Sequence, residues 1–271
     1  MKIVGKKSMV SGIDVRKPVV TGSFYPDSKE ELISNLNEYF KKAKSIIEDK
    51  KIKALIVPHA GYLYSGQTAA WGYKQLPVNT DNPHFVLIGP SHHYLFTGIV
   101  CSSANFWQTP LGQAKHIPIK KEIDQVFIDE NPHVPEHSLE VQTPFLQHIY
   151  TDFSISCFLT GDISDYEKIS KYFLENYSAS IFIISSDLSH YLPEPLAQTK
   201  DKRTLKAILE GETNYFLSEE NTACGQGAIL ILMSMAKKEN WESRLVYYDT
   251  SATASGDEST VVGYAAIGFY K

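Results

Sequence analysis

The sequence has little of what marks several classes of protein. Its 271 residues include three cysteines and no CxxC pair, a pattern that argues against a disulfide framework and against a structural zinc site. The longest uninterrupted apolar run is Ala228–Met233, far below the ~20 residues that span a bilayer. The N-terminal residues also lack the apolar stretch of a signal peptide. These absences predict a reduced, cytoplasmic protein without a membrane segment.

Basic residues are fewer than acidic ones. The chain has 26 basic and 31 acidic residues and a net charge of −5, so we expect no nucleic-acid partner and no anionic membrane surface. P-loop, HExxH and GxSxG motifs are absent. The string Gly225-Gln226-Gly227 lacks the third glycine of a dinucleotide-binding fingerprint and follows no predicted strand.

The order of apolar segments indicates an α/β protein. Four short segments are apolar almost throughout, as expected of strands buried on both faces of a parallel sheet: Ala54–Val57, Phe85–Ile88, Ile155–Leu159 and Ile181–Ile184. Helical spacing of apolar residues occurs in 28–49, 66–76, 138–149, 164–177 and 197–210. RLVYYDTS and STVVGYAAIGFY read as late strands, an antiparallel pair at one edge. With no repeat or linker, we predict one domain over residues 1–271, an α/β sandwich with a mainly parallel central sheet.

Polar side chains follow three of the predicted strands at the point where each ends. His59 comes after the first, His92 and His93 after the second, and Asp187 and His190 after the fourth. Ligands of open α/β sheets bind outside the carboxyl ends of the strands. A single histidine of this kind is as easily a hydrogen-bonded core residue. Three equivalent positions predict a functional crevice.

Two further segments contribute candidates. In EHSLE, which opens a helical pattern, His137 and Glu140 are predicted one turn apart on one helix face. Glu140 fits a role at the helix N-terminus as well as it fits a functional role. Cys224 precedes the apolar helix AILILMSM, whose positive end is expected to lower the thiol pKa. Cys101 and Cys157 are expected to be small buried hydrophobes.

The donor types in this set suit a transition metal. Two imidazoles and a thiolate favour copper, iron or zinc over a hard ion such as magnesium, and they leave an open coordination position. His59 and His92 are the natural nitrogen ligands because they follow strands in the same way. The other polar side chains would orient ligands or act as acid and base: Asp187, His190 and His137. Alternatively, Cys224 and a nearby histidine form a nucleophile–base pair without a metal.

These residues lie in strings that resemble the Memo family, whose prokaryotic members are called AmmeMemoRadiSam system protein B. The resemblance runs from Arg16 to Tyr264 and rests on RKPVVTGSFYP, PHAGYLYSG, GPSHH, EHSLEVQTPFLQ, SSDLSHY, ACG and SGDESTVVGYAA. It implies an α/β/α sandwich similar to that of class III extradiol dioxygenases. It also implies metal ligands at His59, His92 and Cys224, with Asp187 and His190 lining the same pocket.

The resemblance leaves two functions open. The first is a metal-dependent redox protein, an oxidoreductase or dioxygenase-like enzyme that uses iron or copper rather than zinc. The second is a non-catalytic peptide-binding or metal-carrier module that keeps the dioxygenase fold. The family name also implies association with a radical S-adenosylmethionine protein, and the expected ligand is a small molecule or a peptide.

Overall fold

A computed structural model describes residues 2–3, 14–46, 50–219 and 222–271. The strands are β1 (Lys2–Ile3), β2 (Val15–Arg16), β3 (Ile52–Val57), β4 (His84–Pro90), β5 (Tyr94–Leu95), β6 (Ile99–Cys101), β7 (Phe106–Thr109), β8 (Gly112–His116), β9 (Val126–Ile128), β10 (Ser154–Thr160), β11 (Ile181–Ser185), β12 (His190–Leu192), β13 (Glu242–Thr250) and β14 (Val261–Tyr270). The helices are α1 (Lys29–Lys42), α2 (Tyr62–Tyr73), the 3-10 turn η1 (Glu140–Gln142), α3 (Thr143–Ile149), α4 (Tyr166–Asn176), α5 (Glu194–Glu210), α6 (Thr213–Ser218), α7 (Gln226–Glu239) and α8 (Ala252–Ser255).

The four apolar segments form the centre of the sheet, as predicted. They are neighbours in the order β3-β11-β4-β10, and every pair among them is parallel. Ile184 of β11 pairs with Ile56 on one side and Ile88 on the other, and all three side chains are fully buried. Because parallel strands share a direction, the ends that carry His59, His92 and Asp187 lie on one edge of the sheet.

The prediction of a mainly parallel sheet is wrong, because the whole sheet is mixed. Antiparallel pairs flank the parallel centre: β14 with β3, β13 and β12 on one side, and β7 with β8 and β6 with β10 on the other. These flanking strands include short hairpin strands, which need only a tight turn between them and have too few residues for a clear apolar pattern. The predicted antiparallel pair at the end of the chain is confirmed as β13 and β14, and β14 joins it to β3.

Helices cover both faces of the sheet and give three layers. Successive residues of β3 alternate between two cores: Ala54 and Ile56 pack on one side, Leu55 and Val57 on the other. The first core includes apolar residues of α4–α7, and the second includes those of α1–α3. The fold is therefore α/β with a large central sheet, while the single-domain organisation stays a prediction.

The helices follow the predicted segments but differ in their bounds: α2 and α5 begin three to four residues earlier than predicted, and two other segments differ more. α1 starts as predicted after Ser28, whose hydroxyl accepts the Glu31 N–H, but it ends at Lys42; residues 47–49 of the predicted segment lie outside the described residues. The predicted helix over 138–149 divides into η1 and α3, because Pro144 lacks an N–H to continue a helix from the preceding turn. In the part of the chain that the structure describes, no helix has the length and apolar character to span a membrane.

Candidate metal centre

Three imidazoles converge at the carboxyl edge of the parallel strands. His59 follows β3, His92 follows β4, and His137 stands in the turn before η1. One ring nitrogen of each lies within 4.8 Å of the others. The His92 and His137 rings stack with centroids 4.7 Å apart, and both meet the His59 ring edge-on. β3 and β4 both neighbour β11, which explains why their ends meet.

Hydrogen bonds at the Nδ1 atoms fix the tautomer of two of these histidines. The Ser185 hydroxyl donates to the Ser138 carbonyl at 2.6 Å, so it accepts from His59 Nδ1 at 2.9 Å. His92 Nδ1 donates to a Glu136 carboxylate oxygen at 2.8 Å. In the neutral rings both Nε2 atoms therefore carry a lone pair instead of a proton, the arrangement typical of metal-ligating histidines held by an outer hydrogen bond.

Glu136 is a residue of the candidate centre that the sequence analysis missed. Its buried carboxylate also accepts the main-chain N–H groups of His92 at 2.6 Å, His137 at 3.0 Å and Ser138 at 2.9 Å. Burial alone would raise the pKa of Glu136, but the His92 hydrogen bond and the His92 and His137 charges outweigh burial and hold it well below its usual range. The available signal was its position beside His137 in EHSLE, which sequence reasoning assigned to a helix terminus.

Cys224 lies just before α7 and contacts His59, but it is not one of the three described residues whose ligand atoms all lie within 4.8 Å of one another. Its Sγ lies 3.1 Å from His59 Nε2 and accepts the Asp187 main-chain N–H at 3.1 Å. The predicted lowering of the thiol pKa is wrong: burial and the Asp187 charge raise it, outweighing the hydrogen bonds that favour thiolate. In the metal-free protein the thiol is therefore protonated and donates to His59, which is hydrogen-bonded to Ser185, so the metal-free nucleophile–base alternative stays open. Cys101 and Cys157 are fully buried, as expected.

The other predicted residues lie around this cluster in different roles. The buried Asp187 carboxylate accepts the main-chain N–H of His59 at 2.8 Å, and burial raises its pKa. His190 begins β12, close enough that its charge lowers the pKa of His59 and of Asp187. His93 is exposed and is not part of the cluster of three imidazoles.

Glu140 does not share a face with His137, so that prediction is wrong. Its buried carboxylate accepts from Arg16 at 2.7 Å, from the Val19 and Val20 N–H groups, and from the Tyr25 hydroxyl at 2.7 Å. Through these hydrogen bonds Glu140, in η1, holds the segment that follows β2 in place. The turn preceding η1 directs His137 into the centre instead, where it contacts the Phe24 ring.

The protonation of two of the three imidazoles suits metal binding at neutral pH. Burial, together with the His92 charge, lowers the pKa of His59 to about 3, and burial lowers that of His137 to about 4. Both rings are therefore neutral at pH 7 and can donate a lone pair. Burial also opposes protonation of His92, but the Glu136 hydrogen bond and charge raise its pKa. Three imidazoles and a thiol fit a borderline transition metal.

Most of the chain is similar to one family of proteins. Residues 16–268 match the family model described as "Memo-like protein". The chain belongs to the Memo family. A MEMO1 family protein of Thermoplasma acidophilum is 36% identical to it over 264 residues, which cover 93% of this chain and 97% of the relative.

Other Memo-family relatives are similar over equally long stretches. A MEMO1 family protein of Archaeoglobus fulgidus is 36% identical over 279 residues, covering 94% of this chain and 99% of the relative. One of Thermotoga neapolitana is 31% identical over 277 residues, covering 92% and 98%. Memo-family membership thus extends from β2 to β14 and includes every residue of the candidate centre.

Proposed function

We propose that this Memo-family protein is a metal-dependent redox protein that holds iron or copper with His59, His92 and Cys224. The observation that carries the proposal is the group of three imidazoles, His59, His92 and His137, whose ring nitrogens lie within 4.8 Å of one another, with the Cys224 Sγ 3.1 Å from His59 Nε2. A mixed nitrogen and sulfur donor set favours copper, iron or zinc over magnesium or calcium. Zinc fits the donors but has no redox chemistry.

The side chains around the donors supply the remaining chemistry. A bound iron or copper ion would provide one-electron redox chemistry and polarise a ligand at an open position. Neutral His137 can accept a proton from that ligand or serve as a further nitrogen donor. Asp187 holds the His59 main chain, and His190 is a second acid–base group beside it. A small molecule or peptide would approach past His92, whose side chain is 32% exposed whereas His59 is buried.

The decisive experiment is metal quantification on protein purified and loaded under anaerobic conditions. We expect one equivalent of iron or copper in the wild type and loss of that metal in His59→Ala, His92→Ala and Cys224→Ala. His93→Ala is the matched control, since it removes an adjacent imidazole outside the cluster and should keep the metal. Absence of stoichiometric metal under every loading condition would refute the proposal and leave a metal-free binding module.

A second measurement separates redox chemistry from metal carriage. A redox protein should cycle its bound ion between two oxidation states without releasing it. A carrier would pass the ion to a chelator or to a partner, such as the radical S-adenosylmethionine protein that the Memo-family resemblance implies. Reductive titration followed by gel filtration distinguishes them, because metal eluting apart from the protein after one cycle contradicts the redox role.

A further inference from the structure

Arg16 is a buried cation in a part of the chain that the proposed function does not use. It ends β2 and is only 2% exposed. Its guanidinium donates to the His133 carbonyl at 3.0 Å, to the Glu136 carbonyl, and to the Glu140 carboxylate at 2.7 Å. The Trp107 ring lies beneath it, with its centroid 4.4 Å from Cζ. One side chain therefore contacts three places along residues 133–140.

The segment that Arg16 contacts has little structure of its own. Between β9 and η1 its main chain makes turn hydrogen bonds, including the His133 N–H to the Glu130 carbonyl and a long 3.3 Å bond from the Glu136 N–H to the His133 carbonyl. No strand or helix continues through 129–139. Buried side-chain contacts, rather than a regular ladder, hold its conformation.

This segment carries two of the groups at the candidate metal centre. Glu136 accepts the Nδ1–H and the main-chain N–H of His92, and His137 stacks on the His92 ring. A displacement of the Glu136 main chain would therefore turn His92 and move His137 together. Outer groups that orient metal-ligating histidines commonly change metal affinity 10–100-fold when altered.

We propose that Arg16 is a positioning residue of the metal centre: its guanidinium fixes the Glu136 main chain, and through Glu136 it sets the ring orientation and tautomer of His92. The inference rests on the proposed function only for its effect on metal affinity. The effect on His92 itself exists in the metal-free protein and can be measured there.

The planar guanidinium is what this geometry requires. Its separate N–H groups reach two carbonyls and a carboxylate at once, and its flat face covers the Trp107 ring. A lysine keeps the charge that Glu140 needs but has a single donor atom, so it cannot span the same acceptors. Arg16→Lys therefore removes the hydrogen bond to the Glu136 carbonyl. It also keeps a positive charge near the buried Glu140 carboxylate, which limits the electrostatic cost of the change.

The first experiment records the imidazole nitrogen signals of metal-free protein by NMR at mildly alkaline pH. We expect wild-type His92 to carry its proton on Nδ1, and Arg16→Lys to show a mixture of tautomers. Tyr25→Phe is the matched control: it removes another buried hydrogen bond to Glu140 without touching Glu136. It should lower thermal stability and leave the His92 tautomer unchanged.

The second experiment titrates the same proteins with cobalt(II) and follows the visible spectrum of the bound ion. Arg16→Lys should bind cobalt about tenfold more weakly with an altered spectrum, whereas Tyr25→Phe should match the wild type in both. A double-mutant cycle with Glu136→Gln should show losses that are less than additive, because both changes act through one carboxylate.

The outcomes separate the two proposals. The role of Arg16 would be overturned if Arg16→Lys kept the His92 tautomer and the cobalt affinity of the wild type. It would also be overturned if the losses in the double-mutant cycle were additive. A wild type that binds no cobalt, iron or copper would overturn the proposed function, and the NMR spectra alone would then decide about Arg16. If Arg16→Lys fails to fold, Trp107→Phe is measured in its place, because it puts a smaller ring beneath the guanidinium and so packs less closely against it. An unchanged tautomer there counts against the proposal.

Discussion

Replacing Glu136 with glutamine should weaken the candidate metal centre. One carboxylate oxygen accepts from His92 Nδ1, His137 N and Ser138 N, and the other accepts from His92 N at 2.6 Å. A glutamine offers one oxygen and one NH₂ group. In its better orientation the amide oxygen faces three donors, and the NH₂ group confronts the His92 main-chain N–H. At least one charge-assisted hydrogen bond is lost, and a buried donor is left unpaired.

The magnitude follows from these contacts. A hydrogen bond to a charged group contributes about 1.5–3 kcal/mol, so the free energy of unfolding of metal-free Glu136→Gln should fall by about 2 kcal/mol. Metal affinity should fall 10–100-fold, because His92 loses the partner that fixes its ring. Chelator competition with iron(II), together with urea unfolding of the metal-free protein, measures both quantities.

Glu122 provides the control for this change. It accepts a single main-chain N–H, that of Ile128, at an exposed position away from the centre. Glu122→Gln should change neither unfolding nor metal affinity by a measurable amount. The reasoning would be refuted if Glu136→Gln bound metal as tightly as the wild type while His92→Ala lost it, since His92 would then coordinate without needing its carboxylate partner.

Three further predictions concern the residues around this centre. Cys224→Asp should lose copper preference and keep some iron(II) affinity, as expected of a two-histidine, one-carboxylate site, while Cys224→Ala should weaken both in competitive loading. Gly225→Ala should destabilise the fold and displace the adjacent thiol, because an added Cβ would lie 2.7 Å from that of Ser186; a wild-type melting temperature and cobalt spectrum would contradict this. Metal-free protein should lose stability as pH falls from about 6.5 toward 4, since unfolding frees His59 and His137, whose folded pKa values are about 3 and 4, to take up protons. Each can contribute up to about 1.4 kcal/mol per pH unit in urea unfolding, and a flat profile over that range would contradict this prediction.

The sequence alone determined the parallel centre of the sheet and the elements that hold the site. Continuous apolar runs are required wherever a strand is covered on both faces, so β3, β4, β10 and β11 were readable without a structure. Histidine and aspartate directly after such runs must lie at the edge where parallel strands end. This local logic predicted that His59, His92 and Asp187 lie close together.

Tertiary structure decided what surrounds those residues, because the deciding contacts join distant parts of the chain. Arg16 and Glu136 are 120 residues apart in sequence, and the Arg16 side chain donates to the Glu136 carbonyl. Such a contact produces no periodic pattern in the sequence from which it could be predicted. The mixed sheet depends on which short strands pair at the flanks. The thiol pKa of Cys224 was predicted from its helix position, yet burial beside Asp187 reversed its direction. Local pattern fixes where a strand ends, but the charge and orientation of a side chain there depend on neighbours that only the folded chain brings into contact.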